Sequence, residues 1–158
     1  MKFLWLTLTI FCFQLTYSQD LPNFEAITLD KASDYKPAES SVLTAANYVF
    51  SVSVNDDNAS RRNALAFIIR WMSGTPDYNF ELDETAAKVC KGSDAMMGLY
   101  VAAMTKYALE HPANAKDSQL VKDNTIDMLI QYCQKPENNL KMTKGLKKYK
   151  EEREKQKA

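Results

Sequence analysis

The sequence predicts an all-α fold, a single-domain bundle of five or six helices with one interhelical disulfide. Apolar residues recur at helical spacing in several segments, and capping residues or helix stop signals flank most of them. The composition is that of an ordinary globular protein, with 158 residues of which 46 % are hydrophobic and 25 % charged. A chain of this size can bury one core.

Residues 1–18 have the pattern of a secretory signal peptide. Lys2 supplies the basic start, an apolar run follows, and Thr16 and Ser18 are the small residues before a cleavage site at Gln19. The apolar run is shorter than the roughly 20 residues that span a bilayer, although an N-terminal anchor helix is the alternative. We therefore expect an exported chain, periplasmic or secreted, with no transmembrane segment in its mature part.

The first helix is predicted to start near Pro37, because a proline in the first helical turn loses no hydrogen bond. The preceding residues 19–36 are mostly polar and are expected to dock loosely. Apolar side chains then fall on one helical face at Leu43, Ala46, Phe50 and Val54. Residues 48–54 also alternate like a strand, so a strand is the alternative there.

The second helix is predicted to begin at a cap formed by Asp57 or Asn58 and to end at Ser73. Its apolar residues cover more than half of the helix circumference, which indicates a central position. Arg70 lies among them, and it would need a carboxylate partner if it were buried.

Three further helices and a charged segment complete the chain. Asp83 can cap a short helix that ends at Cys90, and a more apolar helix spans residues 95–110. Another helix begins at Asp117 or Ser118 and continues to Cys133. Residues 139–158 can form a last helix with few apolar side chains to bury.

Charge is distributed unevenly along the mature chain. Residues 19–140, the predicted helical domain, hold 11 basic and 17 acidic side chains, whereas residues 141–158 hold 8 basic and 3 acidic ones. We expect this basic tail to be a solvated helix that can fold against the acidic domain or contact anionic surfaces. Nucleic acid is not an expected partner, because the chain is exported and Tyr149 is the only aromatic residue of the tail.

Cys90 and Cys133 are the only cysteines after residue 18. Two cysteines in an exported protein usually pair, so a disulfide between them is predicted. Two buried free thiols are the alternative.

A resemblance is carried by the residues Val89-Cys90-Lys91-Gly92, Ala95-Met96-Met97-Gly98-Leu99-Tyr100 and Tyr132-Cys133-Gln134-Lys135-Pro136. This order of cysteine, helix, helix and cysteine is similar to that of small periplasmic helical proteins with one disulfide, such as the HdeA-type acid chaperones and the Rap/Tai-type immunity proteins. The resemblance covers about 50 of the 158 residues. It implies a non-enzymatic protein that holds another protein, and it assigns no binding residue.

Catalytic chemistry has few candidates in this sequence. His111 is the only histidine, and its position before Pro112 at a helix end suits capping better than base catalysis. A carboxylate pair from Glu81, Asp83 and Glu84, or from Asp56 and Asp57, would suffice for a glycosidase, but acids at helix starts usually serve as caps. No spacing of metal ligands is found, and we expect neither a metal nor another cofactor.

The methionines Met96, Met97 and Met104 share one helix. They are expected to be mostly core residues, but they could instead line an adaptable groove for a partner protein. The sequence therefore predicts an exported, non-enzymatic protein-binding module, chaperone-like or immunity-like. The alternative is a small cell-wall-active hydrolase that uses a carboxylate pair.

Overall fold

The computed structural model describes residues 21–56 and 59–157. These residues form six α-helices and no strand, which confirms the all-α prediction. The helices are α1 (Ala32–Ser51), α2 (Ala59–Met72), α3 (Glu84–Cys90), α4 (Asp94–Glu110), α5 (Ser118–Gln134) and α6 (Lys144–Lys157). None of them is both long and apolar enough to cross a membrane. The predicted signal peptide, residues 1–18, lies outside the described residues.

Helix α1 starts at Ala32, five residues before Pro37, so the predicted start is wrong. The reason is the carboxylate of Asp34, which accepts hydrogen bonds from the backbone N–H groups of Lys31 at 2.9 Å and Asp30 at 3.1 Å and so caps the first turn. The helix continues to Ser51, which excludes a strand over most of residues 48–54. Its buried side chains repeat at helical spacing: Ala38, Val42, Ala45, Ala46 and Val49.

The segment before α1 is held firmly against α2 rather than docked loosely. Phe24 is only 4 % exposed, and its ring stacks on Phe67 with 5.3 Å between the centroids. The Arg70 guanidinium donates hydrogen bonds to the backbone carbonyls of Phe24 at 3.1 Å and Ile27 at 2.6 Å. Arg70 is exposed, and these hydrogen bonds are to main-chain oxygens rather than to a carboxylate. The buried arginine of α2 is Arg61.

Helix α4 occupies the centre of the bundle, where the sequence had placed α2. It packs against α1, α2, α3 and α5, and ten of its residues are buried. Helix α2 buries one face only and leaves Ile69 49 % exposed. A helix that is apolar on all sides can be surrounded by other elements. Helix α2 carries charged residues on its outer side, so it is covered on one side only.

Helix α6, which belongs to the predicted tail, packs against the end of α3. Leu146 is fully buried, and the Thr143 hydroxyl donates a hydrogen bond of 2.6 Å to the Val89 carbonyl. Gly145 lies so close to α3 that a Cβ atom there would be 2.2 Å from the Lys88 carbonyl oxygen. The two helices can approach this closely only because residue 145 has no side chain.

The far end of α6 is bound to α5 by charge. Arg153 is mostly buried, and it forms ion pairs with Asp123 at 2.8 Å and with Asp127. It also donates a hydrogen bond of 2.9 Å to the Asp123 carbonyl. Basic residues of the tail thus bind acids of the domain, and α6 links α3 to α5.

Candidate functional site

The described residues enclose a cavity of about 660 Å³, which we call the α4–α5 cleft. One wall is the irregular segment 76–83 between α2 and α3, and the other is formed by residues 112–122 at the start of α5. Tyr100 and Met104 of α4 form the base. The volume lies within the roughly 300–1,000 Å³ of typical small-ligand sites.

The first wall is fixed by an aromatic cluster beneath it. Trp71 is fully buried, and its ring lies 5.4 Å from that of Tyr78 and 6.1 Å from that of Phe80, measured between centroids. The indole N–H donates a hydrogen bond of 3.1 Å to the Tyr35 carbonyl. Because aromatic pairs of this geometry are attractive beyond their buried area, Trp71 holds the 76–83 segment against the bundle.

The polar side chains of this wall recur at every second residue. Asp77, Asn79, Glu81 and Asp83 all line the cleft. Of the aromatic residues between them, Tyr78 also lines the cleft and Phe80 packs against the core. Alternation with a period of two is typical of extended chain. This alternation in the sequence was the one signal from which the site could have been predicted.

The two walls carry opposite charge. Segment 76–83 contributes Asp77, Glu81 and Asp83, whereas the opposite wall contributes Lys116 and Lys122. The walls meet where Lys122 Nζ lies 3.5 Å from Asp83 Oδ2.

Asp83 has a structural role at this junction. Its other oxygen caps α3 by accepting hydrogen bonds from the Thr85 N–H at 2.9 Å and the Ala86 N–H at 3.1 Å. Burial raises the pKa of Asp83, but the Ala86 N–H and the Lys122 charge outweigh it, so the pKa is below its usual value. Asp83 therefore remains ionised.

Tyr100 forms the polar part of the base. It is 1 % exposed, and burial together with the nearby Asp83 charge raises the pKa of its phenol. The hydroxyl is thus neutral across the physiological pH range, and it can serve a ligand as donor or acceptor.

The role of Asp83 predicts a specific dependence of stability on pH. A carboxyl whose pKa is lowered by folding stabilises the native state above its unfolded value of 3.8, and this contribution is lost as pH falls through the lower folded value. Asp83→Asn keeps a good helix cap but removes the charge. Urea unfolding should show the variant less stable by about 0.5 kcal/mol near pH 7, because the side chain is 39 % exposed. The difference should shrink below pH 3.8; a difference that is constant with pH would contradict this role.

The predicted disulfide between Cys90 and Cys133 is not supported, since both are free thiols. Cys90 is the last residue of α3, which packs on α4 and α6, whereas Cys133 lies in the last turn of α5. The two cysteines are not neighbours, and a disulfide needs Cα atoms within about 7 Å. Burial raises the pKa of each thiol to about 11, so neither is a reactive thiolate near neutral pH.

We expect Cys90 and Cys133 to react with a thiol reagent slowly in the native protein at pH 7.5 and fully after denaturation. Burial and the raised pKa of both thiols are the physical reasons. Non-reducing peptide mapping of the protein from its own compartment should recover both as free thiols. Recovery of a Cys90–Cys133 disulfide would contradict the structure.

The three methionines do not form an exposed groove. Met96 is fully buried, Met97 is partly buried against the core, and Met104 is 5 % exposed at the base of the cleft. Only Met104 is therefore placed to contact a ligand in the α4–α5 cleft.

The candidate carboxylates are divided between several environments. Glu81 and Asp83 line the cleft, whereas Glu84 forms an ion pair of 2.9 Å with Lys88 on the surface. Asp56 accepts a hydrogen bond of 3.2 Å from the Ser53 N–H, and Asp57 lies outside the described residues. A glycosidase needs one carboxyl that stays protonated near neutral pH, and the lowered pKa of Asp83 does not suit that role.

His111 follows the end of α4, where its ring contacts Tyr107 at 4.7 Å between centroids. Within residues 21–56 and 59–157, no group of three or more His, Cys, Asp or Glu side chains could hold a metal ion. Comparison with family models, with curated proteins and with solved structures finds no match to this chain. The six-helix bundle and its cleft therefore have to be interpreted from their own geometry.

Proposed function

We propose that the protein acts after export as a non-enzymatic binding protein, which holds a partner polypeptide by accepting a segment of it in the α4–α5 cleft. The observation that carries the proposal is the cleft itself, a cavity of about 660 Å³ with an apolar base between walls of opposite charge. Such a site offers both apolar area and polar groups that orient a ligand, as binding sites usually do.

Apolar side chains beside the cleft support a polypeptide as the ligand. Leu82 is 55 % exposed between Glu81 and Asp83, and Leu120 is 39 % exposed beside Val121; neither leucine lines the cleft itself. Exposed leucines in the two wall segments offer a partner apolar area outside the cleft.

The chemistry of the cleft lining favours one specific partner, as for an immunity-like protein, over a chaperone-like role with many clients. A chaperone of the second kind needs an adaptable apolar surface, often rich in methionine. Here Met96 and Met104 are buried, and the cleft walls are charged. Walls of opposite charge exclude wrong partners, because a partner that places a like charge against either wall binds with a large free-energy cost.

The proposal is tested by filling the cleft. Ala115 lines the cleft, whereas Ala113 lies two residues away in the same turn, is exposed, and does not line it. Partner capture from the exported fraction is compared for the parent protein, Ala115→Trp and the matched control Ala113→Trp. We expect the parent and Ala113→Trp to retain the same partner and Ala115→Trp to lose at least 90 % of it, a change of about 1.4 kcal/mol.

Two results would overturn the proposal. One is equal capture by Ala115→Trp and Ala113→Trp, provided that circular dichroism shows both variants folded. The other is a parent protein that captures nothing above the level of Ala115→Trp.

A further inference from the structure

We propose that the α4–α5 cleft binds one arginine side chain, which the partner polypeptide inserts against Asp77, Glu81 and Tyr100. This inference rests on the proposed function, because it names the side chain that the accepted segment brings into the cleft. The guanidinium group is placed at the wall formed by segment 76–83, which we call the acidic wall.

The distribution of ion pairs leaves uncompensated negative charge on the acidic wall. The Asp83 carboxylate is already paired with Lys122. Among the described residues no ion pair involves Asp77 or Glu81, although both line the cleft. The Lys36 charge acts on Asp77 only from beyond ion-pair distance. Two carboxylates are thus available to a cationic group of the partner.

The Tyr100 hydroxyl independently indicates a polar ligand. Its side chain is 1 % exposed and lines the cleft, and within the described part of the chain the hydroxyl forms no hydrogen bond. Unlike the unpartnered hydroxyls of Thr105 and Thr125, it is not sealed in the core. A polar group buried without a partner is costly. This neutral hydroxyl is therefore placed to accept a hydrogen bond from a guanidinium N–H.

The ring of Tyr78 favours arginine over lysine. Tyr78 follows Asp77 in the acidic wall, lines the cleft and packs on Trp71 with 5.4 Å between the ring centroids. A planar guanidinium can stack on such a ring and donate N–H groups to two carboxylates at once, whereas the compact ammonium of lysine is a point charge. Arginine is also a frequent anchor of protein interfaces.

The base of the cleft suits the aliphatic part of an arginine. Met104 is 5 % exposed and Val121 is 6 % exposed, so together they present a small apolar surface. The methylene groups of a long cationic side chain can lie on such a surface while its charged end reaches polar groups. Lys116 of the opposite wall is exposed, so solvent screens its repulsion of a bound guanidinium.

The test uses three capped pentapeptides of alanine that carry arginine, lysine or citrulline at the centre. Citrulline keeps the shape of arginine without its charge. Affinities for the full mature chain are measured by isothermal titration calorimetry at low ionic strength. We expect the arginine peptide to bind about tenfold more tightly than the citrulline peptide, which loses two exposed ion pairs. It should bind about threefold more tightly than the lysine peptide, which lacks the planar group that stacks on Tyr78.

Variants assign the arginine to the acidic wall. In the double variant Asp77→Asn and Glu81→Gln, the preference for arginine over citrulline should fall below about twofold. Tyr100→Phe removes only the hydroxyl, and it should weaken binding of the arginine peptide by about threefold. The double variant Glu137→Gln and Glu151→Gln removes two exposed acids that do not line the cleft, and it should behave as the parent protein. Circular dichroism checks that each variant is folded.

Four results would each overturn the inference. They are equal affinity for the arginine and citrulline peptides, equal or tighter binding of the lysine peptide, unchanged affinity in Tyr100→Phe, and no measurable binding of the arginine peptide at millimolar concentration. An arginine preference that survives in Asp77→Asn and Glu81→Gln would place the binding elsewhere and overturn it as well. The proposed function is decided separately, by partner capture with Ala115→Trp and Ala113→Trp, so capture lost only in Ala115→Trp would leave it standing without the arginine.

Discussion

Trp71→Ala should lower the free energy of unfolding by about 3–5 kcal/mol, the usual cost of removing a large buried aromatic side chain. Trp71 is fully buried, it donates a hydrogen bond to the Tyr35 carbonyl, and it contacts the rings of Tyr78 and Phe80. Its loss leaves a cavity and an unpaired carbonyl in the same place. Urea unfolding followed by far-UV circular dichroism measures the effect without relying on tryptophan fluorescence.

A matched control lies in the same helix. Ile69 is 49 % exposed, so Ile69→Ala should change stability by less than about 0.5 kcal/mol. Trp71→Phe keeps a ring but loses the N–H donor, and it should have an intermediate effect. Because Trp71 supports segment 76–83, hydrogen exchange of that segment should accelerate in Trp71→Phe. Unchanged exchange there would contradict its role in shaping the cleft.

Gly145→Ala should destabilise the protein by about 2–5 kcal/mol, the cost of losing the packing of a buried leucine, here Leu146. Helix propensity alone predicts the opposite sign, since alanine in a helix is favoured over glycine by about 1 kcal/mol. The structure predicts a loss because the added Cβ would be 2.2 Å from the Lys88 carbonyl oxygen, which is backbone and cannot rotate away. Urea unfolding gives the sign directly.

Hydrogen exchange shows whether α6 is displaced in this variant. Amides of residues 144–157 should lose protection in Gly145→Ala, and those of α4 should keep it. Lys147→Ala, at an exposed position of the same helix, should leave both stability and exchange nearly unchanged. An increase in stability of Gly145→Ala would show that α6 does not pack on α3 as described.

Local signals in the sequence predicted the helices that begin with a cap. Asp83 was expected to cap α3, and α5 was expected to begin at Asp117 or Ser118. The Asp83 and Asp117 side chains each accept two hydrogen bonds from the first turn of their helix. These predictions succeeded because capping depends on residues within three or four positions of one another. The start of α1 was missed because Pro37 is a familiar signal, while Asp34 caps through its position at the third residue of the helix.

Relations between distant parts of the chain were not predictable in the same way. The pairing of Cys90 with Cys133 was inferred from compartment and number, but a disulfide depends on the distance between two elements that only the fold determines. The docking of α6 likewise depends on Gly145 meeting Lys88 and on Arg153 meeting Asp123 and Asp127. Charge balance predicted the attraction of the tail to the acidic domain but not the contact.

The cleft was missed for a similar reason, since its walls come from segments about 40 residues apart. Asp77, Asn79, Glu81 and Asp83 form a period-two pattern that is readable in the sequence. The pattern indicates that these side chains share a face, yet nothing local shows that Lys116 and Lys122 lie opposite them. The acids near α3 were therefore interpreted as caps or as a carboxylate pair, and only the cap at Asp83 is seen.

Site-specific photo-crosslinking tests most directly whether the cleft is where a partner binds. A photoreactive amino acid is placed at Asn79, which is exposed and lines the cleft, and in a second protein at Ala87, which is exposed on α3 outside the cleft. Both are irradiated in the exported fraction, and crosslinked peptides are identified by mass spectrometry. We expect one partner segment to be crosslinked from position 79 and none from position 87. Crosslinks of equal yield from both positions, or from position 87 only, would contradict it.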